Sequence, residues 1–111
     1  MSCVWPVIPD KNGIARAHKG NTVKLPCNMT QATATSVTWL HTDEPVSRLT
    51  YIYENGRVYK RPGWRFAIYN ANVGDYSLTI KYIERRDAGI YRCYDQPQQR
   101  LLQQYTISVR G

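Results

Sequence analysis

Three cysteines, two histidines and a surplus of cations are the residues of this 111-residue chain with the most chemistry to offer. Cys3, Cys27 and Cys93 make an odd count, which in an oxidising compartment implies one bridge and one spare thiol. His18 and His41 are the only histidines, and His41 has core parity at the end of an alternating run, so both read as structural rather than catalytic. No paired carboxylates stand at suitable positions and no phosphate loop is visible, so the chain is expected to bind rather than to catalyse, with no cofactor and no metal.

Fifteen Lys and Arg against eight Asp and Glu give a net charge of +7. A field of that sign speeds encounter with an acidic protein, a sulfated glycan or a headgroup layer. Arg57, Lys60, Arg61 and Arg65 lie close in sequence, with Arg85 and Arg86 further on, so a sulfated glycan is one candidate ligand, held by Arg57, Lys60 and Arg61. Without a helix pattern or a nucleic-acid motif, nucleic acid is not expected. Nothing approaches the roughly 18 consecutive apolar residues of a membrane span, and the N-terminus lacks the apolar run of a secretory signal. Membrane attachment is therefore expected only through parts outside this chain.

The elements that must position these residues are strands. Stretches rich in Val, Ile, Thr and Tyr recur between Gly, Asn, Pro and Asp punctuation, the cadence of an all-β sandwich or barrel filling one domain over 1–111. Asn21 to Asn28 alternates, with Val23, Leu25 and Cys27 on one side. Ser36 to Thr42 places Val37, Trp39 and His41 on one face and Thr38, Leu40 and Thr42 on the other. Leu49 to Glu54 follows, and Asn55-Gly56 tolerates the positive φ angles of a type I′ hairpin turn into Arg57 to Lys60. Trp64 to Tyr69 is a further strand with Phe66 and Ile68 inward, and Asn70 to Asp75 is a turn. Tyr76, Leu78 and Ile80 share one face, Ile83 plugs the core, and Glu84 to Asp87 is a polar turn. Gly89 to Asp95 and Leu101 to Val109 are the last two strands, joined by a polar loop over Gln96 to Arg100.

Trp39 stands 12 residues after Cys27, and Tyr91 stands two before Cys93, the position of a tyrosine corner. The run Asp87-Ala88-Gly89-Ile90-Tyr91-Arg92-Cys93 resembles the immunoglobulin superfamily pattern Asp-x-Gly/Ala-x-Tyr-x-Cys, and the resemblance covers nearly the whole chain. It implies a Greek-key β-sandwich with a Cys27–Cys93 bridge between the sheets and Trp39 and Tyr91 in the core. Cys3 is then the spare thiol, whether free, paired between chains or paired beyond this chain, and too few ligands remain for a zinc site. The 24 residues between Trp39 and Trp64 leave room for two additional strands, and Arg65-Phe66 resembles the Arg-Phe that opens strand D of variable domains. The subtype is thus V-set, and the resemblance implies that Arg65 pairs with Asp87 as a structural ion pair. Leu78 to Tyr82 followed by Arg86 to Cys93 resembles the first domains of the invertebrate neuronal Dpr and DIP proteins, and primitive chordate V-type receptors share most of these residues.

In such families the usual binding surface is the sheet built from strands G, F, C and C′, here Leu101 to Val109, Gly89 to Asp95, Ser36 to Thr42 and Leu49 to Glu54. With Trp39 and Cys93 inward, parity puts Leu40, Ile90, Arg92 and Tyr94 outward, joined by Leu49, Tyr51, Tyr53 and Leu102. Apolar and aromatic residues around an arginine are enriched at protein interfaces. The expected function is an extracellular recognition or adhesion module, secreted or on a cell surface, binding a second copy or another immunoglobulin domain through this face. An immune receptor using the Gln96–Arg100 loop and a glycan-binding secreted domain are the alternatives. Asn28-Met29-Thr30 is a glycosylation sequon, with Asn28 outward because Cys27 is inward.

Overall fold

The computed structural model describes residues 5–29, 36–43, 47–60 and 62–111; Cys3, Arg61 and the Thr30 of the sequon lie outside the described residues. One sheet has six strands in the order β1 (Ile14–His18), β9 (Arg100–Arg110), β8 (Gly89–Asp95), β3 (Val37–Asp43), β4 (Leu49–Glu54) and β5 (Arg57–Val58). The second sheet has three, β2 (Val23–Leu25), β7 (Leu78–Ile80) and β6 (Phe66–Ala67). Every pairing is antiparallel except β1 with β9, which is parallel. The fold is the all-β sandwich expected, and the Cys27–Cys93 disulfide joins the two sheets. Closing a loop of 66 residues lowers the entropy of the unfolded chain, worth about 4 kcal/mol in the chain-entropy account.

Several strands are shorter than their alternation predicts, for local reasons. Pro26 has no N–H to give a ladder, and β2 stops at Leu25. The expected strand over Trp64 to Tyr69 begins instead with a 3₁₀ turn, Gly63–Arg65, and only Phe66 and Ala67 pair. After Asn55-Gly56, both at positive φ, β5 keeps two residues, and Tyr59 N–H still reaches the Ile52 carbonyl at 2.8 Å. Strand β1 is an addition, with Ala15 and Ala17 inward.

The core is built around Trp39, fully buried, whose indole N–H donates to the Tyr76 carbonyl at 2.8 Å. Leu25, Leu78 and Ile80 face it from one sheet and Val37, Ile52 and Ile107 from the other, with Ile83 buried at the end. Beneath them lies Asp87, also fully buried. Arg65 forks onto its carboxylate with Nη1 to Oδ2 at 2.8 Å and Nη2 to Oδ1 at 3.1 Å. That hydrogen bonding outweighs burial and raises the guanidinium's affinity for its proton. Glu84 N–H donates to the same Oδ2 at 2.7 Å, and Tyr91 donates its hydroxyl to the Asp87 carbonyl at 2.6 Å. Tyr82, at φ 51°, turns its carbonyl to Arg65 Nη1 at 3.2 Å. Gly89 sits at φ 129°, and a Cβ there would meet the Thr42 carbonyl and approach His41 Nε2 to 3.0 Å, so only glycine fits.

His41 is buried, its ring stacked on Tyr91 at 4.2 Å with Nε2 2.9 Å from the Ala88 carbonyl, so that Nε2 carries the proton. Asp43 Oδ1 lies 3.3 Å from Nδ1, within ion-pairing distance but off a hydrogen-bonding direction. Burial outweighs both acceptors and holds the imidazole pKa below its ordinary value of 6.5.

Removing the arginine of the buried pair leaves an uncompensated carboxylate, so Arg65→Ala should lower unfolding free energy by about 3–5 kcal/mol, measured by urea denaturation. For His41 the unfolded chain takes up a proton more readily than the folded one. Its contribution is therefore present above pH 6.5 and is lost as pH falls through the depressed folded value. Stability measured from pH 8 down to 5 should decline with a slope that His41→Gln reduces by up to one proton, about 1.4 kcal/mol per pH unit.

Candidate protein-binding face

The outward side of the six-stranded sheet is ordered by register. Across β4, β3, β8 and β9, Tyr51 lies beside Leu40, Leu40 beside Arg92, and Arg92 beside Gln104. The row below is Leu49, Thr42, Ile90 and Thr106, and above it Thr38 neighbours Tyr94, which neighbours Leu101. Because side chains alternate along each strand, these residues stand on the side away from Trp39 and Cys93. Leu49, Tyr51 and Leu101 are exposed, and Leu40, Ile90, Arg92 and Tyr94 are half-buried by their neighbours. Thr38 is buried despite its outward parity.

Two of the expected face residues are not on this surface. Tyr53 is 7% exposed and belongs to the core, whereas Tyr51 is 44% exposed. The cause is a β-bulge, in which Trp39 pairs with Tyr53 and the next residue, Leu40, pairs with Tyr51, so that Ile52 is extra. One inserted residue reverses parity, and Tyr53 lands on Trp39's side. Strand β9 repeats the device, because Cys93 pairs with Gln103 and Tyr94 with Leu101, leaving Leu102 extra. Leu102 is half-buried against the core, and Leu101 takes the outward place opposite Tyr94. Leu101 is the face residue that parity counting does not supply, while Thr42 lies outward as its alternation predicts.

Arg92 is the charged centre of the face. Its Nε donates to Gln104 Oε1 at 2.9 Å and its Nη1 lies 3.4 Å from Thr42 Oγ1, which fixes the guanidinium across β9, β8 and β3. Among the described residues no carboxylate comes within ion-pairing distance of it. An apolar field with one oriented guanidinium can receive a complementary apolar surface that carries a carboxylate.

The remaining candidates lie elsewhere. Arg57 and Lys60 line a cleft of about 410 Å³ beside β5 with Val58, Tyr59 and Gly63. Asn28 is exposed just beyond Cys27, His18 is exposed on β1, Gln98 and Gln99 are exposed in the loop before β9, and Arg100 is exposed at the start of β9. No helix among the described residues is long and apolar enough to cross a membrane.

The sequence model of the immunoglobulin V-set domain matches residues 14–110. The chain belongs to the V-set immunoglobulin family. A comparison of this V-set domain with the sequences of characterised proteins finds no match. Solved structures resemble it closely in shape and distantly in sequence. The first immunoglobulin domain of Dpr1 bound to that of DIP-eta superposes with a TM-score of 0.70 at 21% identity, over 96% of this chain and 92% of the other. The RIG-5 first-domain homodimer gives 0.71 at 18%, over 96% and 100%, and the ZIG-8–RIG-5 heterodimer of first domains gives 0.69 at 14%, over 96% and 84%.

The bulge in β4 makes opposite predictions for two neighbouring tyrosines. Tyr53→Ala should cost about 3–5 kcal/mol in urea unfolding, the range for deleting a core aromatic, while Tyr51→Ala should stay within about 0.5 kcal/mol of the parent.

Proposed function

We propose that this V-set domain is an extracellular recognition or adhesion module that binds another immunoglobulin domain through the outward face of β9, β8, β3 and β4. It acts by binding and not by catalysis. The observation that carries this reading is the clustering on one flat face of Leu49, Leu40, Tyr51, Ile90, Tyr94 and Leu101 around the oriented Arg92. Scattered surface apolars are ordinary, but a contiguous patch of this composition is the signature of an interface. The three similar solved domains add support, since each was crystallised paired with a first immunoglobulin domain. An interface of roughly 800 Å² per partner would be of standard size.

Arg92 bears on which partner fits. In a two-fold pair the patch meets itself, and a patch centred on an arginine brings like charges together in a desolvated interface, which costs several kcal/mol. A related domain presenting a carboxylate opposite Arg92 avoids that cost and gains a forked hydrogen bond.

The test is to immobilise this domain and a panel of V-set domains and measure binding of the parent chain, Leu40→Asp, Tyr51→Asp and a Gln98→Ala/Arg100→Ala loop variant. At least one panel member should bind, and each face variant should weaken it by more than about tenfold, a loss of 1.4 kcal/mol or more. Binding that survives both face substitutions and disappears in the loop variant would transfer the site to the Gln96–Arg100 loop.

A further inference from the structure

The edge of the sandwich opposite β1 carries a second surface of different chemistry. There the chain leaves β5, the last strand of the six-stranded sheet, and crosses to β6, the last strand of the other. No Asp or Glu occurs between Glu54 and Asp75, while Arg57, Lys60, Arg61 and Arg65 all fall in that interval. Arg65 is withdrawn into the core by Asp87. Arg57 is exposed, and with Tyr59, Lys60 and Gly63 it lines the cleft of about 410 Å³. Glu54 stands across the ladder from Arg57, yet among the described residues no carboxylate comes within ion-pairing distance of Arg57 or Lys60.

Next to this cleft stand aromatic rings that the fold leaves outside. Trp64 follows Gly63 and is 60% exposed; Tyr82 is 61% exposed, and the two rings meet edge to face at 5.5 Å. Rings of this size are normally buried, and here they are held in place at the surface by one another. Tyr59 is exposed within the cleft itself.

We infer that this edge, with Arg57, Tyr59 and Lys60 in the cleft and the Trp64–Tyr82 pair beside it, is a binding site for a sulfated glycan chain. Cations placed along an edge without an ion pair attract a polyanion, and ring faces between them take the apolar faces of sugar rings. A concave cleft at the narrow edge of a sandwich admits a single chain and cannot lie flat on a bilayer. The disulfide places the domain in an oxidising compartment, where sulfated glycans are the abundant linear polyanions. This site is separate from the face of β9, β8, β3 and β4, so a protein and a glycan can be bound together.

The test uses a heparin-derived oligosaccharide and its desulfated counterpart, with binding followed by calorimetry in a salt series on the whole chain. The parent should bind the sulfated probe, with affinity falling as salt rises, and should not bind the desulfated one. Arg57→Ala/Lys60→Ala should weaken binding by about tenfold or more, and Trp64→Ala by several-fold with no change in charge. Lys11→Ala/Lys19→Ala, which removes equal charge near β1 at the opposite edge, should change it by less than about twofold. Equal losses from the two double variants would reduce the effect to net charge and overturn the site, as would no binding of the sulfated probe. Tighter binding to single-stranded DNA of similar length or to anionic vesicles than to the sulfated probe would also overturn it. Leu40→Asp should leave glycan binding intact, which separates this inference from the proposed protein interface.

Discussion

A carboxylate buried away from water must be paired, and much of the lower half of this domain follows from Asp87. Its two oxygens take the fork of Arg65 and the N–H of Glu84, and its carbonyl takes the hydroxyl of Tyr91. Arg65 stands immediately before β6 in one sheet and Tyr91 lies in β8 of the other, so one residue ties the two sheets together. The disulfide and Trp39 hold the middle of the sandwich, and Asp87 closes its base. Gly89, two residues on, must be glycine because β8 runs close against Thr42 there.

The same constraint shapes the surface. Turning Arg65 inward from a 3₁₀ turn leaves its neighbour Trp64 pointing out, and turning the Tyr82 carbonyl toward Arg65 requires a positive φ that sends the Tyr82 ring outward as well. A non-glycine residue at positive φ costs on the order of 1 kcal/mol, offset here by a charge-assisted hydrogen bond in a buried site. The exposed aromatic pair is therefore the outer consequence of a buried ion pair. Core and edge are coupled by two residues whose side chains and backbones serve different sides of the molecule.

The inter-sheet bridge, the buried tryptophan, the tyrosine corner and the inward parity of β3 and β8 were legible in the sequence, because those strands run without interruption and residue type marks each position. The bulges at Ile52 and Leu102 were not. Period-two reasoning assumes that every residue advances the register by one, and neither Ile nor Leu marks an insertion. This is why Tyr53 and Leu102 were expected outward and why the error falls on β4 and β9 alone. Strand β1 is hidden in the sequence for another reason: its inward residues are two alanines, too small to stand out as an apolar face, and its parallel partner β9 is remote in sequence. Trp64 carries no mark of the 3₁₀ turn that replaces the start of the expected strand.

The bulges also explain how a face of this kind can coexist with a small core. A strand that alternated without interruption would place Tyr51 and Tyr53 on the same side, either crowding the interior or widening the exposed aromatic surface. By inserting Ile52, whose side chain is buried and whose carbonyl still accepts from Tyr59, β4 sends one tyrosine to Trp39 and the other to Leu40. The corresponding step in β9 buries part of Leu102 and leaves Leu101 outside. Each bulge thus assigns one large side chain to the core and a near neighbour to the outward face. The outward side chains of Leu40, Ile90 and Arg92 stand on the opposite side of their strands from Trp39 and Cys93.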